Sequence, residues 1–156
     1  MTGAGEPELV ELEPATTAVV RGVVTWAELR DFFDASFGAL ARAVEAQRIT
    51  LLGPAFGLYH GNPGDTLDLE VGFPTAGAVR AEGDVVAGSL PGGRAARLTH
   101  HGSFDGLSGS WTRLRTWMRE QGLSPGADRW ETYVTQPSPD MDPRELRTEL
   151  SWPLAP

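Results

Sequence analysis

Hydrophobic and polar side chains alternate along several short stretches of the chain, which is the pattern of β-strands with one buried face. The clearest stretch runs from Leu67 to Phe73, where every second residue is apolar, and Pro74 ends it. Together these stretches predict strands at residues 9–12, 18–24, 55–60, 67–73, 84–90, 95–101, 130–134 and 146–152.

Two other segments repeat apolar residues at steps of three and four, which predicts amphipathic helices. Thr25 and Glu28 form a capping-box signature before the first helix, because each side chain can bind the other's backbone amide. This helix is expected to end near Gln47, while Ser103 can cap the second helix and Gly122 predicts its end. The apolar stripes are Trp26, Leu29, Phe33, Phe37, Leu40 and Val44, and then Leu107, Trp111, Leu114 and Met118.

The same order of elements, β-β-α-β-β, occurs twice in the chain. The first repeat covers about residues 8–76 and the second about residues 84–154, and Ala18 of the first matches Ala95 of the second. We therefore expect a single α+β domain over residues 1–156, built from tandem repeats related by a pseudo-two-fold axis. Its antiparallel sheets should carry the helices on one side and a groove on the other, with a ligand cleft between the repeats.

Composition narrows the classes of function. The formal net charge of -8 argues against a nucleic-acid partner, which needs a basic face, and would attract cationic ligands at long range. The absence of cysteine excludes disulfides and thiolate chemistry. No apolar run has the length of a membrane span and no signal peptide is recognisable, so we expect no membrane partner and a cytoplasmic location. No phosphate-binding loop or metal-ligand spacing is present, and no cofactor or metal is predicted.

The stretch from Arg129 to Val134 contains the main candidate site. Glu131 and Tyr133 share one face of this predicted strand, because successive side chains point to opposite faces. The repeat pairs Glu131 with Gly57 and Tyr133 with Tyr59. On pattern alone an isolated acid on a strand is most often a solvated surface residue. The repeat instead predicts one carboxylate near the axis of the groove, opposite a small residue and between two tyrosines.

These features resemble the GyrI-like small-molecule-binding family, which also occurs as the effector-binding domain of multidrug-responsive transcription activators. The resemblance covers the chain from about Val10 to Pro153. It rests on the tandem order of elements and on three short segments, Trp130-Glu131-Thr132-Tyr133, Thr99-His100-His101-Gly102-Ser103-Phe104 and Glu149-Leu150-Ser151-Trp152-Pro153.

The resemblance implies a cleft that takes bulky, lipophilic, often cationic aromatic compounds, with Glu131 at its base. It offers Trp111 as a wall of the cleft, and Phe104 stands where many members carry a tyrosine hydroxyl. Some stand-alone members resemble hydrolases that open strained cyclopropane rings, and in such an enzyme Glu131 and Tyr133 would be catalytic. The chain has no room for a helix-turn-helix before Val10, so we expect it not to act as a transcription activator by itself.

The remaining aromatic and histidine residues have simpler interpretations. Trp26, Trp111 and Trp117 lie on or beside helical stripes, where a tryptophan is usually part of the core. The adjacent residues His100 and His101 should point to opposite faces of a strand, so they cannot chelate one ion together. His101 can reach the cleft from the end of its strand, although a polar surface position is the more frequent outcome.

Three hypotheses about function remain open from the sequence. The first is a stand-alone binding module for amphipathic aromatic compounds, with Glu131 supplying charge and the aromatic residues supplying stacking area. The second is a hydrolase that adds water to a strained electrophile in the same cleft, with Glu131 as the base and Tyr133 as the donor. The third is a protein that binds an unknown protein partner through its acidic surface.

Overall fold

The computed structural model describes residues 6–61, 64–135 and 142–155, and shows an α+β fold with eight antiparallel strands and two α-helices. The ends of the predicted domain, at residues 1–5 and 156, lie outside the described residues. The tandem β-β-α-β-β order is confirmed. The elements are β1 (Glu8–Leu12), β2 (Ala15–Thr25), α1 (Leu29–Gln47), β3 (Phe56–His60), β4 (Thr66–Pro74), β5 (Val85–Leu90), β6 (Gly93–His101), α2 (Leu107–Glu120), β7 (Asp128–Tyr133) and β8 (Arg147–Pro153).

All eight strands form one sheet in the order β1-β6-β8-β7-β3-β4-β2-β5. This order is symmetric about its centre, because each strand of one repeat lies where its equivalent lies in the other half. The central pair is β3 and β7, which are equivalent strands of the two repeats. The edge strands are exchanged, since β1 pairs with β6 of the second repeat and β5 pairs with β2 of the first. The pseudo-two-fold axis therefore passes between β3 and β7.

The register of the sheet changes one of the matches between the repeats. Ala18 pairs with Phe73, and Ala96 pairs with Trp152. Because Phe73 and Trp152 occupy equivalent places in β4 and β8, the residue equivalent to Ala18 is Ala96. The match of Ala18 with Ala95 is wrong by one residue, a shift that exchanges the two faces of a strand.

Both helices end where the sequence predicts, but Ser103 makes no capping hydrogen bond with its side chain, and α2 begins at Leu107. The capping box is present: Thr25 Oγ1 accepts from the Glu28 amide at 3.3 Å, and Glu28 Oε1 accepts from the Thr25 amide at 2.8 Å. A short 3-10 turn precedes each helix. Arg48, in the left-handed conformation, ends α1, and Gly122 follows α2 with a φ of 71°. Each helix buries a stripe against the sheet, Ser36, Leu40 and Ala43 in α1 and Ser110, Trp111, Leu114 and Met118 in α2.

Both helices pack on the same face of the sheet, and a row of paired residues follows that face from one half to the other. Directly paired residues of antiparallel strands point to the same side. Leu150 lies in the core under α2, and Val71 lies in the core under α1. The row that connects them is Leu150, Glu131, Gly57 and Val71.

The opposite face of the sheet is not an open groove. Phe56, Leu58 and Trp130 of the central strands are buried there, in a cluster with Leu12 of β1 and Leu90 of β5. Since β1 and β5 are the two edges of the sheet, the sheet curls into a half-barrel around this cluster. The expectation of a groove on the face without helices is therefore wrong, because the curled sheet fills that face with its own side chains.

Candidate ligand-binding site

A cavity of about 1610 Å³, the central cavity, lies on the helix face of the sheet. Helix α1 contributes one wall and α2 with its preceding 3-10 turn contributes the other, while the central strands form the base. Among the residues that line it are Phe33, Phe37, Phe73, Tyr59, Phe104, Trp111, Arg129, Glu131, Tyr133 and Trp152. The cleft between the repeats thus lies between the two helices.

Glu131 lies at the base of the central cavity and is only 6% exposed. Three side chains donate hydrogen bonds to its carboxylate. Trp111 Nε1 donates to Oε2 at 2.9 Å, and the Tyr133 hydroxyl donates to Oε1 at 3.0 Å. The Tyr59 hydroxyl donates to Oε1 over a longer distance of 3.4 Å. The carboxylate is therefore held by donors from both repeats and from the second helix.

Burial governs the titration of this cluster. Burial raises the pKa of Glu131, while the bonds from Trp111, Tyr133 and Tyr59 and the charge of Arg129 oppose that rise. Burial and the nearby charge of Glu131 also raise the pKa of Tyr59 and of Tyr133. Both phenols consequently stay protonated at neutral pH and remain donors to the carboxylate.

Gly57 makes room for this arrangement without lining the central cavity itself. It pairs directly with Glu131 across the axis. A Cβ atom at this position would lie 2.9 Å from the Tyr133 hydroxyl oxygen and 3.4 Å from Phe33 Cζ. The space opposite the acid is occupied by the tyrosine that binds the acid.

Aromatic pairs form both walls. Phe37 and Phe73 meet edge to face with ring centroids 5.8 Å apart, and Trp111 and Trp152 meet in the same way at 5.5 Å. Phe104, which lacks the hydroxyl expected from the resemblance, packs edge-on against Tyr133 at 6.0 Å. Such contacts suit an organic ligand with flat rings.

Arg129 is a site residue that the sequence interpretation did not select. Its Cζ atom lies 4.8 Å from the ring centroids of both Trp111 and Trp152. Burial lowers its pKa, and the charge of Glu131 opposes this change. The sequence did indicate this position for Arg129, because the alternation that places Glu131 and Tyr133 on one face of β7 places Arg129 there as well.

A family model described as the GyrI-like small molecule binding domain matches residues 5–155, nearly the whole chain. The chain belongs to the GyrI-like family. No curated protein sequence matches it. The crystal structure of the EcmrR C-terminal domain has the same fold, with a TM-score of 0.84 and 20% sequence identity over 96% of each chain.

Two further solved structures share this GyrI-like fold. One is a cryo-EM structure of an EcmrR-DNA complex, with a TM-score of 0.83 and 20% identity; the match covers 96% of this chain and 57% of that one. The present chain thus spans little more than half of that relative. The other is SAV2435 bound to tetraphenylphosphonium, with a TM-score of 0.68 and 13% identity over 96% of this chain and 94% of that one.

The EcmrR-DNA complex overturns one prediction. We excluded a nucleic-acid partner because the chain is acidic, yet the same fold forms part of a protein that was solved in complex with DNA. In such a protein a region outside the GyrI-like domain can supply the basic surface. The charge of the domain alone therefore does not exclude nucleic acid from its assembly.

The structure of the GyrI-like domain brings all but one of the predicted site residues together. Glu131, Tyr133, Tyr59, Trp111 and Phe104 line the central cavity together, and Gly57 lies directly beneath them. His101, at the end of β6, does not line the cavity, because its side chain points to the face without helices.

His100 points to the face opposite His101, as predicted, whereas Trp26 lies outside the core. His100 points toward α2, where its Nδ1 accepts from the Ser110 hydroxyl at 2.6 Å and its Nε2 donates to the Ser103 carbonyl at 2.8 Å. It thereby fixes the turn that precedes Phe104. Trp26, expected in the core, is 58% exposed at the edge of the cavity, and its Nε1 donates to the Gly64 carbonyl.

Within residues 6–61, 64–135 and 142–155, no three His, Asp or Glu side chains are grouped so that they could hold a metal ion. In the same residues no helix is long and apolar enough to cross a membrane.

Proposed function

We propose that this GyrI-like domain binds lipophilic aromatic compounds, among them organic cations, in the central cavity. The observation that carries the proposal is a buried carboxylate, Glu131, at the base of a cavity with aromatic walls. A negative charge attracts a cation far more strongly in such a partly dry site than in water. Aromatic faces add a further attraction for organic cations.

The size of the central cavity supports a bulky ligand. Pockets for drug-sized compounds commonly measure about 300–1,000 Å³, and this cavity measures about 1610 Å³. Its relative SAV2435 has been solved with tetraphenylphosphonium, which carries four aromatic rings around one positive charge. A ligand of that shape could contact the Phe37–Phe73 wall and the Trp111–Trp152 wall at the same time.

Titration with tetraphenylphosphonium tests the proposal. We expect Glu131→Gln to weaken binding about tenfold, because the substitution removes the charge and keeps the shape of the side chain. The matched control is Asp105→Asn, at an exposed carboxylate on the rim of the same cavity, which should change the affinity less than about twofold because water screens its charge. Isothermal calorimetry measures both. Equal affinities of the parent and Glu131→Gln would show that the charge has no role.

The geometry around Glu131 does not favour the hydrolase alternative. A carboxylate has about four positions at which it can accept a hydrogen bond. Trp111, Tyr133 and Tyr59 already use three of these on Glu131. The arrangement favours a fixed charge over a base that positions an attacking water.

A further inference from the structure

Arg129 places a second charge in the central cavity, close to the first. It precedes Glu131 by two residues on β7, so both side chains project from the same face of the strand. The guanidinium lies against the rings of both Trp111 and Trp152, at 4.8 Å from each centroid. In the described part of the chain its buried Nε atom has no hydrogen-bond partner. Two indole rings contact this partly exposed cation.

Trp111 connects the two charges physically. Its ring faces the Arg129 guanidinium, and its Nε1 donates to Glu131 Oε2 at 2.9 Å. A cation over an indole ring draws electron density from it, which strengthens the N–H as a donor to the carboxylate. Arg129 therefore acts on Glu131 both through space and through the indole between them.

The acidic and basic residues that line the central cavity are equal in number. The acidic residues that line it are Asp34, Asp105 and Glu131, and the basic ones are Arg30, Arg115 and Arg129. The chain as a whole has a net charge of -8. The lining is thus neutral on a strongly acidic protein, and only Arg129 among its cations is stacked on the aromatic wall that holds Glu131.

We propose that Arg129 is the internal counter-cation of Glu131 and determines the charge selectivity of the central cavity, which therefore accepts uncharged aromatic compounds as well as lipophilic cations. This inference rests on the proposed function and makes it more specific. A bare carboxylate in a dry cavity would strongly favour cations. With its own cation beside it, the carboxylate gains less from a cationic ligand and still accepts a hydrogen bond from a neutral one.

Three probes of similar shape and different charge test the proposal: tetraphenylphosphonium, triphenylmethanol and tetraphenylborate. In Arg129→Met, which keeps a side chain of similar length against the indoles, we expect binding of the cation to strengthen about tenfold and binding of the anion to weaken about tenfold. Binding of the neutral alcohol should change less than about threefold. Arg129→Lys keeps the charge on a side chain that stacks less well, so its cation-to-anion ratio should stay closer to that of the parent than the ratio of Arg129→Met does.

Each outcome decides the question. An unchanged cation-to-anion ratio in Arg129→Met overturns the proposal, and equal weakening of all three probes shows that Arg129 only packs. A second measurement needs no ligand: carbon NMR of the Glu131 carboxyl should show a higher pKa in Arg129→Met than in Arg129→Lys, and equal pKa values also overturn the proposal. If the parent binds none of the probes, the proposed function fails, while the NMR titration still shows whether the two charges are coupled.

Discussion

Each half of the molecule forms an aromatic wall from one helix residue and one strand residue, but the two walls differ in chemistry. In the first half Phe37 of α1 meets Phe73 of β4, and in the second half Trp111 of α2 meets Trp152 of β8. Phe73 and Trp152 are equivalent residues, whereas the equivalent of Trp111 is Phe33, one helical turn before Phe37; the ring centroids are nevertheless similarly spaced, at 5.8 Å and 5.5 Å. The first pair offers only hydrocarbon, whereas the second offers an N–H donor to a buried acid and two faces to a cation. The repeat conserves shape, and the difference between the halves supplies the site.

The axis itself explains why the halves must differ. Gly57 and Glu131 are equivalent residues and also direct partners across β3 and β7. A glutamate at both positions would place two buried carboxylates against each other, and only one could keep its charge. Tyr59 and Tyr133 can be retained in both halves, because two neutral donors can bind one acceptor. A symmetric fold can therefore hold a single buried charge at its axis only by breaking the symmetry there.

The largest effect on stability is expected from adding a side chain at Gly57, opposite Glu131. Gly57→Ala would put a methyl group 2.9 Å from the Tyr133 hydroxyl oxygen, which is bonded to Glu131. The ring must move, and the acid loses a donor. We expect a loss of about 2–3 kcal/mol in the free energy of unfolding, and weaker binding of tetraphenylphosphonium. Urea denaturation and calorimetry measure the two effects.

Gly77→Ala is the matched control, because a Cβ atom there has no neighbour within 4 Å and the residue is exposed. Its free energy of unfolding should stay within about 0.5 kcal/mol of the parent. If Gly57→Ala proved as mild as this control, the close fit between Gly57 and Tyr133 would have no energetic importance.

The sequence could predict the halves better than the differences between them. Strict alternation in β4 and the stripe of α1 determine which face is buried, so the element order followed from local pattern, whereas the place of Glu131 near the axis followed from matching the two repeats. The curl of the sheet did not follow, because it depends on Leu12 and Leu90, at distant edges, packing together over Trp130. Arg129 was missed for a similar reason: its partners Trp111 and Trp152 come from two other elements.

The second largest effect on stability is expected when the tryptophan wall is made more like the phenylalanine wall of the other half. Trp111→Phe keeps a ring where Phe33 stands in the other half, but removes the N–H that donates to the buried Glu131. We expect a loss of about 2 kcal/mol in the free energy of unfolding, since the bond has a charged acceptor. The pKa of Glu131 should also rise further, because this hydrogen bond lowers it.

Trp152→Phe provides the comparison within the same wall. Its Nε1 donates at 2.9 Å to the Gly126 carbonyl, a neutral acceptor, and its ring contacts Arg129 as the Trp111 ring does. A loss of about 1 kcal/mol is expected there. Equal losses in the two variants would mean that the carboxylate gains nothing special from Trp111. Thermal and urea unfolding of the two variants side by side would measure the difference.

The smallest effect on stability is expected at His60, which links the two halves by charge on the face without helices. His60 of β3 lies between two acids, with Nε2 at 2.6 Å from Glu70 Oε2 and Nδ1 at 3.3 Å from Asp128 Oδ1. Glu70 belongs to the first repeat and Asp128 to the second, and Arg21 also approaches Glu70, at 3.6 Å. Burial opposes the proton on His60, but the bonds and charges of Glu70 and Asp128 outweigh it and raise its pKa.

A raised pKa in the folded state means that the protonated bridge stabilises the protein fully below the ordinary value of 6.5, and that this stabilisation is lost as pH rises through the raised value. His60→Asn should therefore cost about 0.5 kcal/mol at pH 6, the size of a partly exposed ion pair, and almost nothing at pH 9. His101→Asn should show the opposite slope, because burial lowers the pKa of His101 and its proton disfavours folding. Urea denaturation of both variants at the two pH values measures this, and parallel slopes would mean that the bridge does not link the halves.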